Sequence, residues 1–272
     1  MRAFGWGLLA ASSLLIGGLL ALWLPVPRRV LGLVMAFGVG VLTSAVAYEL
    51  VEESFRTSAG SSGVALGLLA GAVVFYLGDA AIDRLGGHDR KRSTPFPAGS
   101  GAAGRAAAAG GGPAMPRARG GPTRPGSGAS TALAVVLGIV LDGIPESIVL
   151  GLTLVGGATV GWAVLAAVFL SNLPEAVAAT VGLRSRGWAG AHILGLWALV
   201  TVVSGLAALL GYATMDTASP GQVAFINAFA GGAILTMLAD TMAPEAFENG
   251  GRTVGLATTL GFLSAFLITA LT

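Results

Sequence analysis

Apolar residues run through this chain in long unbroken blocks rather than in the alternation of a half-buried surface. Eight blocks stand out, at 4–24, 31–53, 63–83, 131–154, 160–182, 190–213, 222–244 and 253–271. About 20 apolar residues in a helix reach across the roughly 30 Å hydrocarbon core of a bilayer, so each block predicts a membrane-crossing helix. The first is too long for the apolar core of a signal peptide and is followed by further spans, so it is read as a helix.

Composition agrees with the pattern. The chain has 272 residues, 54% hydrophobic and 10% charged, where a soluble domain carries about 25% charged residues. It has no Cys and two His, His88 and His192, which excludes disulfides, thiolate sites and an imidazole-rich zinc site. The basic pI of 9.5 does not point to nucleic acid, because the basic residues flank the spans. Of the 15 Lys and Arg, only Arg2 and Arg56 fall on one side of the predicted bundle. The other side holds Arg28, Arg29, Arg84, Arg184, Arg186, Arg252 and the basic residues of 86–130. The positive-inside bias therefore predicts both termini outside a multi-pass protein of the plasma membrane. Residues 86–130 are rich in Gly, Ala, Pro, Ser and Arg and predict a disordered cytoplasmic loop. They separate helices 1–3 (1–85) from a central pair (131–182) and a final three (183–272).

Two segments repeat each other. AFGVGVLTSAVAYELVEESF (36–55) and AFAGGAILTMLADTMAPEAF (228–247) share Ala36/Ala228, Phe37/Phe229, Gly40/Gly232, Ala47/Ala239, Glu53/Glu245 and Phe55/Phe247 at an offset of 192. They lie in spans of opposite predicted direction, the pattern of an inverted repeat. The expected fold is an all-α integral membrane protein of eight transmembrane helices in a 3+2+3 arrangement with inverted repeat.

The chemistry concentrates in the central pair. Leu141-Asp142-Gly143-Ile144-Pro145-Glu146-Ser147 and Leu170-Ser171-Asn172-Leu173-Pro174-Glu175-Ala176 each place Pro-Glu inside an apolar span, 29 residues apart. A charged side chain at this depth costs about 2.5–3.5 kcal/mol on insertion scales and marks an ion path. Asp142 and Glu146 share a helix face, as do Ser171 and Glu175. Pro145 and Pro174 free the carbonyls of Leu141 and Leu170. Freed carbonyls and inward carboxylates offer oxygen ligands to a cation. Asp240, deep in the seventh span, is a further candidate ligand. Glu49, Glu52 and Glu53, and Glu245 and Glu248, read as solvated rims; Asp79, Asp83 and His192 read as interfacial residues.

The paired segments resemble the ZIP (Zrt/Irt-like) family of divalent-metal transporters, whose fourth and fifth spans carry His-Asn-x-Pro-Glu-Gly and His-x-x-Pro-Glu motifs. The resemblance covers nearly the whole chain outside 86–130. It implies eight spans, outside termini, a long cytoplasmic loop after the third, and a metal site carried over to Asp142, Glu146, Ser171, Asn172, Glu175 and Asp240. Asp142 and Ser171 stand where the family has His, and Gly143 where it has Asn. All-oxygen ligation favours harder ions such as Mn²⁺ or Fe²⁺ while still admitting Zn²⁺. The expected function is uptake of a divalent metal (Zn²⁺, Mn²⁺ or Fe²⁺ as substrate), not an enzyme. Its partners are metal ions and the lipid bilayer, with no nucleic acid and with a homodimer as a possible assembly. No phosphate-binding loop is present, which disfavours ATP-driven pumping. The competing readings are a proton-coupled or proton-conducting carrier and a non-transporting metal-binding or structural protein.

Overall fold

A computed structural model describes residues 1–58, 62–84, 127–155, 160–185, 187–215 and 217–271, with side chains of 127–136 and of residue 163 excepted. The loop expected at 86–130, with its His88, lies outside these residues, except that 127–130 begin a helix.

Helices account for almost all of the described chain, and no strand occurs among the described residues. They are α1 (Arg2–Trp23), α2 (Arg28–Ala45), α3 (Glu53–Thr57), α4 (Ser62–Arg84), α5 (Ser127–Leu152) and α6 (Trp162–Ser185). The others are α7 (Gly190–Met215), α8 (Pro220–Met237), α9 (Ala243–Gly250) and α10 (Val254–Leu271). A π-helical turn, Val46–Glu52, joins α2 to α3, and a second, Leu238–Met242, joins α8 to α9. Six stretches among the described residues are long and apolar enough to cross a membrane. One of them, Pro220–Leu271, has 52 residues, about 80 Å as one straight helix. It is interrupted at Gly251, whose φ of 67° ends α9 in a left-handed conformation that suits glycine.

The helix ends follow from local sequence. Ser219 and Gln222 form a reciprocal capping box with Pro220 in the first turn of α8. Gly187, at φ 84°, stops α6: its N–H reaches Arg184 O at 3.0 Å and the Trp188 N–H reaches Leu183 O at 3.2 Å, the two bonds of a Schellman motif. Arg184 then donates to Leu22 O at 2.6 Å, tying the end of α6 to the end of α1.

Packing is close where side chains are small. A Cβ on Gly71 of α4 would collide with Phe229 O of α8, and one on Gly232 with Leu68 O. In the same way a Cβ on Gly261 of α10 would strike Phe37 O of α2, and one on Gly40 Thr258 O. Such contacts pack helices where lipid removes the hydrophobic drive between them. Opposite these seams, α4, α7 and α10 expose Leu66, Leu69, Leu206, Leu210, Leu256 and Leu260. In water these faces would be large apolar patches; against lipid tails they are solvated. The chain is an all-helical protein with the form of a multi-pass membrane protein.

Candidate functional site

Both Pro-Glu segments lie in the middle of continuous helices, Pro145 within α5 and Pro174 within α6. The frame around them is tight. Gly17 of α1 lets that helix meet α6 at the carbonyl of Leu173, the residue before Pro174. Trp197 of α7, 1% exposed, donates its indole N–H to Thr180 of α6 at 2.8 Å. Thr201, one turn on, donates to Trp197 O at 2.8 Å and lies 3.2 Å from Ala11 O of α1. Helices α1 and α7 thus hold α6 in register behind its carboxylate.

The structure brings the two motifs together. Glu146 is 1% exposed and Ser171 fully buried. Ser171 Oγ lies 3.5 Å from both carboxylate oxygens of Glu146, at the outer limit of a hydrogen bond, and donates more closely to Val168 O at 3.1 Å. Asp142, Asn172 and Glu175 line one cavity of about 80 Å³, room for several waters. Oε1 of Glu175 is buried without a hydrogen-bond partner, a costly state for a carboxylate oxygen that a bound cation would relieve.

Asp240 does not join them. It is exposed, and Thr241 and Glu245 line the cavity in its place. The π turn is the cause. A wider turn rotates less per residue, so three residues beyond cavity-lining Met237 fall short of a full circuit while four nearly complete it. Glu245, read from sequence as a rim residue, is half-buried in the cavity wall. Trp197, Met35, Met237 and Met242 also line it. Their apolar periodicity gave no sign of a cavity, because packing and lining residues look alike along a helix. Asp79, expected at the interface, is 8% exposed within the α4 face that packs on α8. His192 is exposed.

The two ends of the site differ. The cavity draws on Met35 in α2, Asn172 to Leu183 in α6, Trp197 early in α7 and Met237 to Glu245, from the end of α8 through the π turn into α9. All lie toward the end of the bundle where Arg28, Arg29, Arg184 and Arg252 gather. On the other side of Glu146 there is a space of only about 10 Å³, walled by Leu42, Val46, Leu50, Val149, Val164 and Ile234 among others. That is the least volume one water needs, and apart from Glu146 its wall offers a water no side-chain partner. Glu146 therefore lies between a polar cavity, set toward the arginine-rich end, and a small, mainly apolar space.

Among the described residues, no group of three or more Asp, Glu or His side chains is gathered closely enough to hold a metal ion. The carboxylates are split, with Glu146 facing the small apolar space and Glu175 the cavity. No protein-family model matches the chain, and no curated protein matches it either.

Proposed function

We propose that the protein is a divalent-cation transporter of ZIP type that carries its ion inward across the plasma membrane, with Zn²⁺, Mn²⁺ or Fe²⁺ as the substrate class. The observation that carries this reading is the placement of Asp142, Glu146 and Glu175 on two proline-containing helices at the boundary between a polar cavity and a dry apolar space. Such a boundary is where a carrier holds its ion between two accesses. Asp142, Glu175 and Asn172 supply oxygen from the cavity side, and Glu146 with Ser171 from beside it. Asp240 is too exposed to serve in this arrangement.

In this reading the helices make eight crossings, as 3+2+3 with an inverted repeat, with both termini outside. Several observations support it. The two π turns begin at Val46 and Leu238, 192 residues apart like the sequence repeat. The glycine contacts correspond in pairs: Gly71 on Phe229 answers Gly261 on Phe37, and Gly232 on Leu68 answers Gly40 on Thr258.

The test is uptake into proteoliposomes holding the purified full chain, with Zn²⁺, Mn²⁺, Fe²⁺, Co²⁺, Cd²⁺ and Mg²⁺ in competition. Saturable, metal-selective uptake that Glu175→Gln removes is the expected result. A pH-driven current with no metal requirement would replace the reading with a proton carrier. Metal binding without uptake would leave a binding protein.

A further inference from the structure

The cavity is mixed in its chemistry. Its lining holds the carboxylates Asp142, Glu175 and Glu245 together with the apolar Trp197, Met35, Met237, Met242 and Leu14. A divalent metal ion seeks oxygen on every side, and the apolar lining leaves part of a hydrated ion's shell without partners. An alkylammonium ion is mixed in the same way as the cavity. Its head donates three hydrogen bonds, and its methylene body prefers an apolar wall.

The acceptors for such a head are in place. Oε1 of Glu175 is buried with no partner. Asn172 is 4% exposed, lines the cavity, and its amide makes no hydrogen bond among the described residues. Oγ1 of Thr241, on the facing π turn, is likewise buried without a partner. In the same lining, the indole of Trp197 attracts a desolvated cation, and the thioethers are polarisable and adapt to an irregular body.

We propose that this cavity binds a short-chain primary alkylammonium ion, its head on Glu175 and Asn172 and its body against Trp197 and the methionines. Binding uses the cavity but does not depend on metal transport. The ion occupies the space a metal must cross, so it blocks passage from the arginine-rich side.

The experiment titrates n-propylammonium chloride into the purified full-length protein. Calorimetry and thermal unfolding are the readouts, with n-propanol and sodium chloride as controls. Saturable binding and a raised unfolding midpoint are expected with the ammonium alone. Glu175→Gln removes a charged acceptor and weakens binding about tenfold or more. Met237→Gln, which keeps the length of the side chain, weakens it by spoiling the apolar wall. If Glu175→Gln does not purify as a folded protein, Glu245→Gln at the half-buried edge of the cavity takes its place. An equal effect of n-propanol, no saturable binding, or unchanged affinity in both the carboxylate and the methionine variants overturns the proposal. Proteoliposome metal uptake is scored separately. Ammonium binding without uptake supports this inference and sinks the transport reading, and uptake without ammonium binding does the reverse.

Discussion

At the scale of single residues, the site depends on a few buried polar groups. Glu146→Gln and Glu175→Gln each replace a charge by a neutral isostere, and each is expected to abolish metal uptake while the protein still assembles. Uptake at the parent rate in both would remove these carboxylates from the path. Selectivity is open to test at Asp142 and Gly143, but not at Ser171, which is fully buried and where an imidazole would overpack its surroundings. A Cβ on Gly143 meets only Ser204 Oγ, at 3.8 Å. Gly143→Asn is therefore expected to fold normally, and Asp142→His to raise Zn²⁺ or Cd²⁺ uptake relative to Mn²⁺; competition uptake reads both. Trp197 offers a stability test. Trp197→Phe leaves Thr180 without its buried donor and is expected to cost about 1–3 kcal/mol. Adding Thr180→Val should recover part of that loss, as thermal melts of the single and double variants would show.

At the scale of elements, two devices stand out: the π turns and the glycine seams. The π turn of Leu238–Met242 turns Thr241 and Glu245 into the cavity and Asp240 out of it. Deleting one residue within it should restore an α turn, rotate α9 and impair uptake more than a point change at Asp240. At the seams, Gly71→Leu and Gly261→Leu each set a side chain against a neighbouring backbone carbonyl, which cannot yield as a side chain can. Both are expected to abolish monodisperse protein in size-exclusion chromatography. A Cβ on Gly195 would meet nothing within 4 Å, so Gly195→Ala should be neutral or slightly stabilising.

At the scale of the whole molecule, the asymmetry of the two cavities gives the bundle a direction. The polar cavity lies toward the arginine-rich end, which in the proposed orientation faces the cytoplasm, as the positive-inside bias expects. Cysteine labelling on the natural Cys-free background tests the assignment. A cysteine at Ser127 should resist an impermeant thiol reagent in intact cells, and one at Ser58 should react. The opposite pattern would invert the protein and make the polar cavity an outer vestibule. The aromatic cluster of Tyr48 with Phe262 and Phe266, and the bond from Thr269 to Glu49 at 2.9 Å, tie the first π turn to α10. Glu49, expected from sequence to be a solvated rim residue, is half-buried there.

Much of this was legible in the chain itself. Crossing a bilayer demands about 20 apolar residues and helical hydrogen bonding, so long apolar runs specify helices almost without reference to their neighbours. The helices containing Pro145 and Pro174 follow from that constraint, and a carboxylate in such a run stands out because it is costly there. What the tertiary structure alone decided is which side of each helix meets which neighbour. The exposure of Asp240, the inward place of Glu245 and Thr241, and the burial of Asp79 all depend on rotation about helix axes. Lipid makes apolar faces look alike in sequence, whether they pack or are solvated, and a π turn shifts the phase with no apolar signature of its own. The split of the carboxylates between a polar cavity and a dry space arises only when several helices are packed together, because each cavity wall is assembled from residues far apart in the chain.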